Sequence, residues 1–309
     1  MRYRKLGQTG LDVSILSYGA SSLGSVFEEI NESEGMKSVH AAVDLGVNLI
    51  DVSPYYGLTK AEIILGKALK NIPRDKYLLS SKAGKYGDND FDFSHSRITK
   101  SLEESLQRLG TDYLDIFLLH DIEFGSYNQI LAVAIPTLEQ LKEQGKIRFY
   151  GVSGLPLTIF DKVLSKVNLD VVLSYCHYTL NDNTLLSLIP LLNQKQVGLI
   201  NASPLSMGLL SSEEVASWHP ADEKIKRVCK MAAKFCEENG HDLAKLAIQY
   251  SVQNELIPTT LVSTASVNQI TKNIKWVDEP IHEDILEHVL DILKPIHNKT
   301  WQSGNEEWG

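Results

Sequence analysis

Short apolar runs recur along the chain, separated by stretches whose apolar residues return at helical spacing. Residues 15–18, 48–50, 77–80, 114–119, 147–152, 171–174, 197–200 and 261–262 form runs too short for helices and rich in Ile, Leu and Val, as strands buried on both faces require. Between them lie amphipathic segments ending near residue 45 and spanning 61–69, 94–109, 138–144 and 159–167. Gly46, Gly110 and Gly145 follow three of these segments closely, where a left-handed C-terminal cap favours glycine. Ahead of the first run, residues 3–13 flank the turn Gly7-Gln8-Thr9-Gly10 and predict a β-hairpin able to plug one end of a barrel.

Strand and helix alternating through eight strands predict an α/β chain with a parallel sheet. The sheet could be open and doubly wound or closed. A doubly wound dinucleotide-binding sheet carries Gly-x-Gly-x-x-Gly after its first strand, and Gly19-Ala20-Ser21-Ser22-Leu23-Gly24 has the wrong spacing. The closed (β/α)8 TIM barrel is therefore favoured, with the N-terminal hairpin and additional C-terminal helices. No repeat, low-complexity tract or linker interrupts the pattern, so residues 1–309 are expected to form a single domain. The polar stretch 298–309, apolar only at Trp301 and Trp308, reads first as a mobile tail, with a segment that covers the pocket as the alternative.

Composition narrows the function. The chain is 43% hydrophobic and 22% charged, ordinary for a globular protein. A net charge of −9 with scattered basic residues argues against nucleic-acid binding. No apolar run approaches the roughly 18 residues of a membrane span, and the basic start Met1-Arg2-Tyr3-Arg4-Lys5 lacks a signal peptide's apolar region. Cys176, Cys229 and Cys236 have no metal-ligand spacing and are expected to be reduced thiols. A cytoplasmic location follows as the expectation, with no metal implied and the oligomeric state open.

Four polar residues stand where strands stop: Asp51 and Tyr56 after residues 48–50, Lys82 after 77–80 and His120 after 114–119. In a parallel barrel the C-terminal ends of the strands form the catalytic face. A tyrosine, with an unperturbed pKa of about 10, becomes useful as an acid or base when a cation and hydrogen-bond donors stabilise its phenolate. Lys82 and His120 are placed to do so.

The run Leu49-Ile50-Asp51 leading to Tyr56-Gly57, with Ser81-Lys82, Leu118-Leu119-His120, Gly151-Val152-Ser153, Ser203-Pro204-Leu205-Ser206-Met207-Gly208 and Ser263-Thr264-Ala265-Ser266 ending at Asn273, resembles the aldo-keto reductase superfamily. The resemblance implies a nicotinamide cofactor held by a TIM barrel and a catalytic tetrad of Asp51, Tyr56, Lys82 and His120. Tyr56 would exchange the proton, Lys82 favour its phenolate, Asp51 hold Lys82, and His120 orient the substrate oxygen. The resemblance also assigns cofactor contacts to Ser153, Ser203, Leu205, Gly208, Ser263, Thr264, Gln269 and Asn273. Gly154 stands where members carry an asparagine, and Ala202 where many carry an aromatic that stacks on the nicotinamide. Ser263, Thr264 and Gln269 offer no cation to a 2′-phosphate, so NAD is expected over NADP, although Lys272 is close in sequence.

Asp121 follows His120 where reductases of apolar carbonyls often have an aromatic; it suits a polyol, and a loop cap is the competing reading. Tyr55, Tyr86, Phe124 and His177 are further candidates for the pocket rim. Within the superfamily the likeness is strongest to members that oxidise a free sugar, which implies a small-molecule aldose oxidised at C1 with NAD. L-Galactose, on the plant route to ascorbate, is expected ahead of L-fucose or D-arabinose. A slow redox-sensing binding subunit is the alternative from another class.

Overall fold

A computed structural model describes residues 1–308. Its strands are β1 Tyr3–Lys5, β2 Asp12–Ser14, β3 Leu16–Gly19, β4 Leu49–Asp51, β5 Leu78–Ala83, β6 Lys85–Gly87, β7 Asp90–Phe91, β8 Leu114–Leu119, β9 Ile147–Gly154, β10 Val171–Tyr175, β11 Gly198–Ala202 and β12 Thr259–Ser263. Its helices are α1 Glu32–Asp44, α2 Lys60–Leu69, α3 His95–Leu109, α4 Tyr127–Gln129, α5 Ile135–Glu143, α6 Thr158–Leu164, α7 Ile189–Lys195, α8 Glu223–Glu238, α9 Leu243–Gln253, α10 Val267–Asp278 and α11 Glu283–Leu293. All eight expected strands form and close into one parallel barrel in the order β3-β4-β5-β8-β9-β10-β11-β12, the last pairing with the first. Gly46, Gly110 and Gly145 all take positive φ at helix ends, as the pattern predicts.

Alternation along the strands explains what faces inward. In β8, Ile116 and Leu118 belong to the small apolar cluster inside the barrel, while Phe117 and Leu119 pack outward under the helices. The bottom of that inner cluster is completed by Leu6, Leu11 and Val13, so the antiparallel β1–β2 hairpin does plug one end. Its turn fits because Gly7 has no side chain: a Cβ there would lie 2.4 Å from the amide nitrogen of Gly198. Arg4 clamps the plug by donating to the carbonyls of Val252, Asn254 and Ile257 at 2.7–3.0 Å. A second apolar cluster unites α8, α9 and α11.

Two features depart from the expectations. The β6–β7 hairpin, which follows β5 at the barrel mouth, has no apolar alternation to announce it. The tail is docked. Trp308 is 1% exposed, its indole N–H donates to the carbonyl of Gly125 at 2.8 Å, and its own carbonyl accepts from Thr158 at 2.7 Å. A tryptophan is a large apolar surface with one polar handle, and here both find partners. Cys176, Cys229 and Cys236 are free and buried. Among the described residues, no helix is long and apolar enough to cross a membrane.

Candidate active site at the barrel mouth

In β4, β5 and β8 the inward-facing position changes from apolar to polar at the C-terminal end. Leu49 gives way to Asp51 in β4; Leu78 to Ser80 and Lys82 in β5; Ile116 and Leu118 to His120 just past β8. Period-two alternation thereby aims four polar side chains at one place. Tyr56 arrives from the turn after β4. Its neighbour Gly57 is pressed against the opposite turn, since a Cβ on Gly57 would lie 2.1 Å from the carbonyl oxygen of Gly24.

Lys82 is 1% exposed and uses all three of its donors: on Asp51 Oδ1, on the Val52 carbonyl at 3.1 Å and on the Tyr56 hydroxyl at 3.2 Å. The second Asp51 oxygen accepts from Ser80 at 2.7 Å. Desolvation pulls the Lys82 ammonium down, but Asp51 and Tyr56 outweigh it and its pKa is pushed up to about 12. Tyr56 is raised above the usual phenol value because burial outweighs the opposing pull of Lys82. His120 is held well below the ordinary imidazole value, by burial first and then by Lys82 and Lys85, so the ring is neutral at pH 7. Ser53 Oγ accepts from the Tyr55 amide at 3.1 Å and lies 2.9 Å from His120 Nδ1. That contact fixes the orientation of the imidazole and leaves Nε2 facing away from Ser53.

Asp121 takes a left-handed backbone conformation, φ 50°. Its Oδ2 accepts from Lys85 at 2.7 Å, and its Oδ1 lies 3.9 Å from His120 Nε2, buried with no hydrogen-bond partner. Tyr55 stands edge-on to His120 with its hydroxyl on Asp88, and Phe124 stacks on Phe91 at 4.4 Å. Tyr86 is not brought to this group: its ring lies beneath Arg97 of α3 and its hydroxyl accepts from the Gly84 amide. His177 follows β10, its Nδ1 against Thr184 and Asp182 at 2.9 and 3.2 Å, its Nε2 buried and unpartnered.

The proposed cofactor residues divide into three places. Ser153, next to last in β9, bonds the Asp121 amide and the Leu119 carbonyl, both at 3.3 Å. Gly154 beside it is tightly enclosed, since a Cβ there would lie 2.3 Å from both Glu123 Oε2 and Ile159 Cδ1. Ser203, Leu205 and Gly208 belong to a tight loop after β11 in which Ser203, Ser206, Met207 and Gly208 all have positive φ. No atom lies within 4 Å of where a Gly208 Cβ would be, so a ligand can approach that backbone. Ser263, Thr264, Gln269 and Asn273 gather at the start of α10, capped by Ser266 on the Gln269 amide. There the Val267 amide donates to Glu34 Oε1 at 3.1 Å. The residues present fit an elongated dinucleotide with a helix N-terminus at one end.

Several members of the site escape pattern reading. Ser80 shares the inward face of Lys82 and was open to the same period-two argument. Lys85, Glu34 and Glu123 have no such signal, because a hairpin, the first turn of α1 and the turn after β8 deliver them. Tyr175 ends β10 on its inward face, paired in register with Ala202, and puts an aromatic beside the small residue noted above.

The aldo/keto reductase family profile matches residues 15–293. The chain is 48% identical to L-galactose dehydrogenase of Arabidopsis thaliana over 97% of both chains. It is 36% identical to D-arabinose 1-dehydrogenase of Saccharomyces cerevisiae over 78% of this chain and 75% of that one. Among solved structures, the holo form of an aldo-keto reductase from Bacillus halodurans superposes with a TM-score of 0.80, at 25% identity, covering 100% of this chain and 99% of the other.

Proposed function

Because the chain belongs to the aldo/keto reductase family of nicotinamide-dependent oxidoreductases, we propose that it oxidises L-galactose at C1 to L-galactonolactone with NAD, a step toward ascorbate. The observation that carries this reading is the buried Asp51–Lys82–Tyr56 chain beside a neutral His120. It is supported by the likeness to the plant enzyme along nearly its whole length.

Oxidation at C1 requires loss of a proton from O1 and of a hydride from C1. When bound, the nicotinamide supplies the hydride acceptor. Tyr56 takes the O1 proton, and Lys82, 3.2 Å from its hydroxyl, stabilises the phenolate that must form first. Burial opposes that phenolate, which makes the lysine necessary. Asp51 and Ser80 keep Lys82 in place and charged. For His120 to direct an Nε2 proton at O1, Ser53 donates to Nδ1 across their 2.9 Å contact.

The choice of NAD is supported at the start of α10. A 2′-phosphate there would meet the carboxylate of Glu34 on the first free amide and no matched cation. Tyr56→Phe tests the chemistry. It should retain fold and NADH binding and lose about 10²- to 10⁴-fold in turnover; near-normal turnover would refute the assignment. An NADH-forming assay with L-galactose, L-fucose, D-arabinose and an aromatic aldehyde tests the substrate. Preference for L-fucose or D-arabinose would keep the mechanism and replace the sugar, whereas preference for the aromatic aldehyde would end the sugar reading.

A further inference from the structure

We propose that Lys85 and Asp121 together form a two-handed clamp for the C2 hydroxyl of the sugar, making Lys85 a specificity-determining residue that restricts the enzyme to aldoses hydroxylated at C2. This inference rests on the aldose reading above. Three observations carry it. The first is position: Asp121 Oδ1 is 3.9 Å from His120 Nε2, the atom that marks where the reacting O1 sits. The oxygen on the adjacent carbon of a sugar is the next group in reach of that carboxylate. The second is an unmet need. Asp121 is 4% exposed, yet Oδ1 has no partner, and a buried carboxylate oxygen without a donor costs free energy that a ligand hydroxyl would recover.

The third is the lysine itself. Lys85 is 13% exposed at its side chain, bonded to Asp121 Oδ2 at 2.7 Å and held over the Tyr55 ring at 4.2 Å, with Phe91 and Phe124 on its other sides. The aromatic surround fixes the ammonium, and the ion pair uses one of its three N–H groups. A hydroxyl both donates and accepts, so a single O2 can give its proton to Asp121 Oδ1 and receive one from Lys85 Nζ. A hydrogen or methyl group at the same place satisfies neither. The discrimination is therefore built on both charges. L-Galactose, L-fucose and D-arabinose share the C2 configuration, so the clamp selects the class and leaves the choice among them to other contacts.

The test compares kcat/KM with NAD for L-galactose and 2-deoxy-L-galactose. The wild-type protein should favour the 2-hydroxy sugar by at least about tenfold. Lys85→Met should bring that ratio to within about threefold, while NADH fluorescence titration confirms a folded cofactor site. Equal use of the two sugars by the wild type overturns the clamp while leaving L-galactose oxidation standing; failure to oxidise either sugar removes the L-galactose reading and the clamp with it. If Lys85→Met lowers both sugars equally and keeps the wild-type ratio, the lysine merely neutralises Asp121 and the proposal falls. Should that variant not fold, Lys85→Gln repeats the comparison, and the wild-type ratio already decides whether C2 is read.

Discussion

Lys82 with Asp51 is a buried ion pair, an arrangement that is costly unless every donor and acceptor is met. Here Ser80 and the Val52 carbonyl complete the set, which leaves the Tyr56 hydroxyl as the one partner able to change protonation during turnover. Ser53 plays the matching role for His120. Ser53→Ala should lower kcat/KM about fivefold, the equivalent of the roughly 1 kcal/mol that one hydrogen bond contributes net, with NADH affinity unchanged. An unaltered kcat/KM would show that the ring needs no tautomer control. The His120 imidazole also links stability to pH. Its native pKa is depressed, whereas an unfolded chain takes up a proton near pH 6.5. The stability it contributes is complete above that value and is lost as the pH falls below it.

At the scale of elements, strands were legible and hairpins and tail were not. A strand buried on both faces is a continuous apolar run, and all eight stood out from 15–18 to 261–262. Asp51, Lys82 and His120 were legible for the same reason, as polar ends of such runs. The β6–β7 hairpin has five residues in its strands and no alternation, so Lys85, which it delivers to Asp121, was invisible. Glu34 is another case: only the fold brings α1 to the start of α10. That contact makes a prediction of its own. Glu34→Gln removes a negative charge from a helix N-terminus, an effect of about 0.3–1 kcal/mol. The ratio of kcat/KM for NADP over NAD should rise by up to about fivefold, and an unchanged ratio would move the basis of NAD preference elsewhere.

Across the whole molecule, the tail and the mouth are one structure. Glu123 Oε1 accepts from the Leu155 amide and from Ser303, both at 2.9 Å, and its backbone carbonyl accepts from the Asn305 amide at 2.7 Å. Burial, and after it the charge of Asp121, pushes the Glu123 pKa up to about 8. A carboxyl raised in the native state favours folding while protonated and loses that contribution as the pH rises through its native value. Hydrogen-exchange protection at Asn305 and Trp308 should therefore decline from about pH 5 to about pH 9, and Glu123→Gln should flatten the decline. Equal slopes in the two proteins would detach the tail from this carboxyl. The tail was misread from its polar composition because its anchoring depends on one tryptophan and on acceptors 180 residues away.

The hairpin plug has a consequence for how the chain is made. Its clamp, Arg4, finds its acceptors at Val252, Asn254 and Ile257, and β3 finds its second neighbour in β12. During synthesis the first strands thus emerge long before the segments that complete them, leaving two open edges on a growing sheet until the ring closes. Closure over so many residues is slow compared with local helix formation. Cells making this protein would hold a population of half-built barrels, each with a sticky edge, for as long as translation runs, and chaperone demand should track elongation rate more than final stability.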